Sequence, residues 1–133
     1  MTRYLLDTTA LIDFSKNREP TRSRILSMIK AGDELGVCAI NIAEFYTGVI
    51  RATERPALDQ FIGSLAHWEI TFGAAVRAGR YRYDFLRTGQ ALSTTDVLVA
   101  AVARERHATL VTSNRKHYPM TDITLLSFAV TDS

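Results

Sequence analysis

The sequence predicts an α/β protein built around a mostly parallel β-sheet. Short apolar runs alternate along the chain with longer segments in which apolar residues recur every three to four positions. Short runs of this kind are typical of buried strands, the longer segments are typical of amphipathic helices, and their alternation indicates βαβ units. The length of 133 residues fits a single domain, 1–133, that can bury a core of its own.

The first half of the chain is predicted to hold two strands and four helices. The second helix is the clearest, because Ile25, Leu26 and Ile29 share one face and Gly32 stands just beyond its end. Pro56 is suited to open a helix, since its missing N–H costs nothing there. In order, the predicted elements are a strand at 4–6, helices at 8–14 and 21–30, a strand at 36–39, a helix at 42–53 and a helix from Pro56 that carries Leu58, Phe61, Ile62 and Leu65.

The second half continues the alternation. Gly89 is expected to end a long helix, because glycine readily adopts the left-handed backbone found after helix ends. The predicted elements are a strand at 67–70, helices at 73–87 and 96–106, and strands at 109–112 and 124–127.

Composition excludes several classes of protein. With 47% hydrophobic and 23% charged residues the chain is an ordinary globular mixture. Its single cysteine, Cys38, cannot form an intramolecular disulfide and stands in an apolar run typical of a buried thiol. No apolar stretch reaches the roughly 20 residues that span a bilayer, and Asp7 interrupts the N-terminus too early for a signal peptide. We therefore expect a cytoplasmic protein with no membrane partner.

Four oxygen-bearing side chains stand where predicted strands end or helices begin. Asp7 follows the first strand, Glu44 lies in the first turn of the helix after the second, Asp96 opens the 96–106 helix, and Asn114 follows the fourth strand. In an open parallel sheet, ligands bind beyond the carboxyl ends of the strands. Clustered carboxylates repel one another unless a divalent cation such as Mg²⁺ or Mn²⁺ joins them. Such a site suits the metal-dependent cleavage of a phosphodiester.

The same residues also fit a purely structural role. Asp7 could cap the helix that begins at Thr8. Asn41 with Glu44, and Ser93 with Asp96, each have the spacing of a capping box. The two interpretations are compatible, because an acid in a first helical turn can still face a metal ion.

Four segments in order resemble the conserved blocks of PIN-domain ribonucleases. The segments are residues 5–12 (LLDTTALI), 42–48 (IAEFYTG), 92–101 (LSTTDVLVAA) and 110–119 (LVTSNRKHYP). Each block alone is a weak signal, but their order and spread over nearly the whole chain are specific. The small size most resembles the VapC toxins of bacterial type II toxin–antitoxin pairs.

The resemblance implies a three-layer α/β/α sandwich around a central, mostly parallel sheet. It implies an Mg²⁺- or Mn²⁺-dependent endoribonuclease that cuts structured cellular RNA of the tRNA or rRNA class. A cognate antitoxin would neutralise it in a hetero-oligomer, and homodimers are usual in the family. By position, Asp7, Glu44 and Asp96 would be the metal-binding catalytic acids, with Asn114 in the place of a fourth acid and the hydroxyls of Thr8 and Thr112 in support. An amide at Asn114 brings no charge, which leaves the number of metal ions open.

Basic residues are the candidates for contact with the RNA. The net charge is only +2, but thirteen of the sixteen basic residues are arginines, which suit bidentate contact with phosphate unless they merely reflect genomic composition. Arg80 and Arg82 lie among aromatic residues on the 73–87 helix, where they could hold RNA or simply be solvated. The other candidates are Arg115, Lys116 and His117, which lie within the last of the four segments.

Two other functions remain open on the sequence alone. A PIN-like domain that lost activity through Asn114 would bind RNA without efficient cleavage. An aspartyl phosphatase would use Asp7 as its nucleophile, but it would also need a later assisting lysine, and the chain has only three lysines.

Overall fold

The computed structural model describes residues 1–49 and 51–128, and within them the strands form one five-stranded parallel sheet in the order β3-β2-β1-β4-β5. The strands are β1 (Arg3–Leu6), β2 (Glu34–Val37), β3 (Ala66–His67), β4 (Thr109–Thr112) and β5 (Thr124–Ser127). The helices are α1 (Thr8–Ser15), α2 (Thr21–Lys30), α3 (Ala39–Thr47), α4 (Arg55–Ser64), α5 (Phe72–Leu86) and α6 (Thr94–Glu105). Short 3₁₀ turns cover Ala52–Glu54 and Arg115–His117.

The sheet reverses its strand order at β1. The chain runs from β1 outward to β2 and β3, then crosses to β4 on the other side of β1 and on to β5. In register, Leu5 stands between Gly36 of β2 and Leu110 of β4. Because all strands are parallel, their carboxyl ends share one edge, and the reversal between β1 and β4 opens a crevice there.

Helices cover both faces of the sheet. Leu5 and Leu6 are both fully buried but belong to different cores, because successive side chains on a strand point to opposite faces. The Leu5 side packs against α5 and α6, and the Leu6 side packs against α1, α2 and α4. This arrangement confirms the predicted three-layer α/β/α sandwich. Cys38 is fully buried, as expected, and burial raises the pKa of its thiol to about 12.

The largest errors of the sequence-based element assignment lie between residues 34 and 53. Strand β2 starts and ends two residues earlier than predicted, and the following helix covers Ala39–Thr47 rather than 42–53. Residues 38–40 are apolar and continue the strand pattern, but they form the N-cap and first turn of α3, where Cys38 and Ile40 pack into the core. The predicted strand at 67–70 shrinks to Ala66–His67.

The remaining elements were predicted to within about two residues at each end. Gly32 and Gly89 both adopt positive φ after α2 and α5, the backbone conformation that ends a helix. None of the helices in the described part of the chain combines the length and the apolar character that crossing a bilayer requires.

Candidate active site

A cavity of about 590 Å³ lies at the carboxyl edge of the sheet and contains the three predicted metal-binding acids, Asp7, Glu44 and Asp96. These acids come from three separate elements, the β1–α1 junction, α3 and α6. The full lining is Asp7, Thr8, Thr9, Glu44, Gln90, Ala91, Leu92, Ser93, Asp96, Lys116, His117 and Tyr118.

Asp7 is fixed at the end of the central strand. Its backbone N–H donates to the Val111 carbonyl at 3.1 Å, which extends the β1–β4 ladder by one residue. Its Oδ1 accepts from the Thr9 hydroxyl at 2.6 Å and from the Ala10 N–H at 3.0 Å. Asp7 is therefore the N-cap of α1, as predicted, and its side chain has little freedom to turn.

The Asp7 carboxyl is an electrostatically costly group. It is 2% exposed, and burial raises its pKa more than the hydrogen bonds from its neighbours lower it. Those neighbours are neutral hydroxyls and one amide. Among the described residues, no arginine, lysine or histidine forms an ion pair with it. A buried anion without a cationic partner favours the binding of a positively charged ligand.

Asp96 sits in the first turn of α6. Its N–H donates to the Ser93 hydroxyl at 3.1 Å, which confirms Ser93 as the N-cap. The carboxylate is 19% exposed, and His117 Nδ1 lies 3.5 Å from Oδ2. Asp96 thus combines a helix-start position with a carboxylate that faces the cavity.

Glu44 is held in a different way from the sequence prediction. The predicted capping box is wrong, because α3 begins at Ala39 and Cys38 is its N-cap, which leaves Glu44 in the second turn. The Thr8 hydroxyl donates to Glu44 Oε1 at 2.7 Å, and the buried Asn41 amide donates to that hydroxyl at 3.1 Å. Asn41 therefore acts as a support for the Thr8–Glu44 contact.

Thr112, predicted as a supporting hydroxyl, and Asn114, predicted as a catalytic residue in the place of a fourth acid, both lie beside the cavity rather than in its lining. Thr112 is buried, and its hydroxyl lies 3.3 Å from that of Thr9 and accepts the Asn114 N–H at 3.0 Å. The Asn114 amide nitrogen lies 2.9 Å from His117 Nε2. Asn114 thus contacts a cavity residue and is not itself placed among the carboxylates.

The predicted RNA-contacting residues divide into two groups. Lys116 and His117 line the cavity, whereas Arg80, Arg82 and Arg115 are outside its lining. Arg82 donates from Nε to the carbonyl of Leu92, a residue of the cavity wall, at 3.0 Å. The Arg80 guanidinium lies over the exposed Tyr83 ring at 6.0 Å. The role of all five residues in RNA binding stays a prediction.

Tyr118 is the site residue whose role the sequence did not reveal. Its ring is buried, and its hydroxyl contacts Asp7 Oδ2 at 2.9 Å and Asp96 Oδ1 at 3.4 Å. Burial and the two carboxylates raise the pKa of the phenol well above its usual range, so the group remains a donor. Tyr118 lies within the 110–119 segment of the family resemblance, but a sequence segment does not indicate where a hydroxyl points.

Asp7, Asp96 and Glu44 supply carboxylate oxygens, the donors that a hard divalent cation prefers. In the described residues, no three acidic, histidine or cysteine side chains are gathered closely enough to form a complete metal cluster. Asp7 and Asp96, however, both contact the Tyr118 hydroxyl oxygen, and Glu44 lines the same cavity. Mg²⁺ commonly binds through one or two carboxylates and keeps several waters, so this arrangement is compatible with it.

Comparison with known proteins identifies the family. The PIN domain family matches residues 4–122. Ribonuclease VapC19 of Mycobacterium tuberculosis is 28% identical over 116 residues, which make up 87% of this chain and 92% of that protein. Ribonuclease VapC2 of Rickettsia felis is 25% identical over 120 residues, or 86% of this chain and 89% of that protein.

Solved structures agree on the fold. VapBC2 from Rickettsia felis, bound to a promoter DNA fragment, superposes with a TM-score of 0.83 at 22% identity and covers 95% of this chain and 98% of the matched chain. DNA-bound VapBC from Salmonella typhimurium gives a TM-score of 0.81 at 22% identity over 96% and 99% of the two chains. The chain belongs to the PIN domain family.

Proposed function

We propose that this chain is a VapC-type toxin, a metal-dependent endoribonuclease that cleaves structured cellular RNA in the cytoplasm and is neutralised by a cognate antitoxin. The observation that carries the proposal is the convergence of Asp7, Glu44 and Asp96 from three elements into one open cavity. Membership of the PIN domain family and the similarity to two VapC ribonucleases support it.

The chemistry follows from the lining of the cavity. Asp7 and Asp96 would hold Mg²⁺ or Mn²⁺, with Glu44 as the third acid; such an ion, when bound, supplies charge stabilisation and lowers the pKa of water. Glu44 is exposed and lines the cavity, and its Oε1 accepts a hydrogen bond from the Thr8 hydroxyl. Lys116 and His117 lie at the same cavity and would bind the phosphates on either side of the cut.

We expect the substrate to be a loop of a structured RNA, of the tRNA or rRNA class. A phosphodiester must reach carboxylates at the floor of a cavity, which a splayed, single-stranded loop can do and a regular A-form duplex cannot. Gln90 and Ser93 also line the cavity, and their polar side chains can form hydrogen bonds with base edges.

The direct test is cleavage of total RNA by the purified chain with Mn²⁺. Asp96→Asn should abolish cleavage, because it removes a charged oxygen from the cavity. Glu105→Gln is the matched control, since Glu105 ends the same helix but contacts Thr71 outside the cavity. The proposal is wrong if Asp96→Asn cuts RNA at the parent rate. Sequencing of the cut ends would identify the RNA class.

An antitoxin partner is supported by the solved VapBC complexes that share this fold. The chain also carries a mainly apolar groove of about 270 Å³ that a partner segment could fill. Its lining is Ile12, Ser15, Lys16, Phe45, Gly48, Val49, Glu54, Ala57 and Leu58. Induction of the chain alone should arrest growth, and co-expression with the cognate antitoxin should restore it.

A homodimer is supported by the outer face of α5. Phe72, Val76, Tyr83 and Leu86 are between 53% and 86% exposed and form one stripe with Gly79 on the side of α5 away from the core. Phe72 and Leu86 stand seven positions before and after Gly79, and Val76 and Tyr83 stand three before and four after. An antiparallel copy of the same helix would therefore meet like spacing, as a two-fold interface requires.

This surface can be tested by light scattering at several protein concentrations. Val76→Arg should convert a dimer to a monomer, because it places a charge at the centre of the stripe. Leu26→Arg changes another exposed apolar residue, on α2, and should leave the dimer intact. A wild-type monomer, or a Val76→Arg dimer, would contradict the proposed surface.

A further inference from the structure

Tyr118 connects two acids that the chain keeps far apart in sequence. Its hydroxyl oxygen lies 2.9 Å from Asp7 Oδ2 and 3.4 Å from Asp96 Oδ1. The ring is 3% exposed and follows directly after the Arg115–His117 turn, so the backbone leaves it little freedom. Asp7, Asp96 and Tyr118 come from three elements and meet at one oxygen atom. We refer to them as the pocket cluster.

The two oxygens of Asp7 have different tasks. Oδ1 accepts from the Thr9 hydroxyl and the Ala10 N–H, which occupies both of its acceptor positions in capping α1. Oδ2 accepts from the Tyr118 hydroxyl at 2.9 Å, and the Thr112 hydroxyl is a further hydrogen-bond partner of the carboxylate. Oδ2 is therefore the Asp7 oxygen that Tyr118 orients.

The phenol has one proton for two carboxylates. Without that donor, Asp7 Oδ2 and Asp96 Oδ1 would lose the hydroxyl that both contact, and repulsion between the two carboxylates would favour rotation of the partly exposed Asp96 away from Asp7. Of the basic residues in the described part of the chain, only His117 pairs with either acid, and it does so at the other oxygen of Asp96.

We propose that Tyr118 is a positioning residue that holds Asp7 Oδ2 and Asp96 Oδ1 in the arrangement that binds the divalent cation. The inference rests on the proposed metal-dependent function and deepens it. Groups that orient metal ligands through hydrogen bonds typically change metal affinity by about 10- to 100-fold when they are removed. Tyr118→Phe keeps the ring and removes only the hydroxyl, so we expect a loss of Mn²⁺ affinity in that range.

The chain provides a matched control. Tyr81 is also buried, and its hydroxyl also contacts an aspartate, Asp122, at 2.9 Å, but outside the cavity. Tyr81→Phe therefore removes an equivalent hydroxyl without touching Asp7 or Asp96. The free Mn²⁺ signal in electron paramagnetic resonance measures affinity for the purified full chain without any RNA, and thermal melting in EDTA checks the fold of each variant.

The expected result is weaker Mn²⁺ binding for Tyr118→Phe and wild-type affinity for Tyr81→Phe. Wild-type affinity in Tyr118→Phe overturns the inference, and so does tighter binding, which would mean that the hydroxyl competes with the ion. Equal loss in both variants also overturns it, because the effect would then be one of general stability.

The RNA assay separates this inference from the function on which it rests. If the wild-type chain binds Mn²⁺ and cuts RNA while Tyr118→Phe keeps full affinity, the positioning role fails and the proposed function stands. If the wild-type chain neither binds Mn²⁺ nor cuts RNA, the proposed function fails and the inference fails with it.

Discussion

Within residues 1–49 and 51–128, two clusters pair a buried tyrosine hydroxyl with aspartate, and they differ in what surrounds the carboxylate. In the pocket cluster, Tyr118 contacts Asp7 and Asp96. In the second, which we term the loop cluster, Tyr81 of α5 contacts Asp122 in the segment before β5. The loop cluster also contains Arg104 at 2.8 Å and Arg77 at 3.9 Å from Asp122 Oδ2.

The two aspartates have pKa values shifted in opposite directions. Burial dominates at Asp7 and raises its pKa. At Asp122 burial also opposes ionisation, but the hydrogen bonds from Arg104 and Tyr81 outweigh it and lower the pKa. The arginines complete the loop cluster as an internal tether between α5, α6 and the 122 segment. In the part of the chain that the structure describes, no arginine or lysine pairs with Asp7 of the pocket cluster, so a negative charge there is available to a cationic ligand.

The largest expected effect is the loss of RNA cleavage in Asp7→Asn without a loss of thermal stability. Asp7→Asn should lower RNA cleavage at least about 100-fold, since a charged ligand oxygen is lost. Its melting temperature should stay the same or rise, because the amide can keep the cap of α1 without a buried charge. RNA cleavage and thermal melting in EDTA measure the two quantities. A large fall in melting temperature would show that the Asp7 charge stabilises the fold.

The next effect is stabilisation by metal. At an Mn²⁺ concentration about 100 times the dissociation constant, binding to the folded state should add about 2.7 kcal/mol to the free energy of unfolding. Wild-type protein and Asp122→Asn should both show this gain in urea unfolding, and Asp7→Asn should not. A gain of the same size in Asp7→Asn would place the ion elsewhere.

Loss of the loop cluster should have a smaller effect, on stability alone. Asp122→Asn removes a charged partner from two partly exposed arginines, and the screened pair should contribute about 1 kcal/mol. RNA cleavage should stay within about twofold of wild type after correction for folded protein. The difference in free energy of unfolding between the wild type and Asp122→Asn should shrink at 1 M salt, because salt screens the ion pairs.

The smallest expected effect is a difference between Asp7→Asn and Asp122→Asn in how their stability in EDTA depends on pH. For Asp122 the folded pKa is lowered, so its stabilising contribution is complete above the ordinary value of 3.8 and is lost as pH falls through the folded pKa. For Asp7 the folded pKa is raised, so ionisation weakens the fold as pH rises from 3.8 through the folded pKa. The advantage of Asp7→Asn should therefore shrink between pH 7 and 4, whereas the deficit of Asp122→Asn should persist to about pH 4. Urea unfolding at three pH values measures both.

Much of the site was accessible from sequence because its geometry is local. Asp7 and Ser93 cap α1 and α6 as predicted, since a cap depends on hydrogen bonds within three residues. Glu44 lies in the cavity with the other two acids, but not through the predicted capping box. The structure places it in the second turn of α3, where Thr8 and Asn41 support it. An apolar run at 37–40 fits a strand and a helix start equally well, and only packing decides between them.

The sequence by itself determined the α/β architecture and the order of its elements. It also placed three acids directly after a strand or in the early turns of a helix, because periodicity and capping are short-range properties of the chain. The tertiary structure decided which side chains contact one another. Tyr118 reaches Asp7 across 111 positions, and Arg104 reaches Asp122 rather than the cavity. Those pairings follow from the register of β1 with β4 and the packing of α6 on α5, which bring together residues that no local pattern connects.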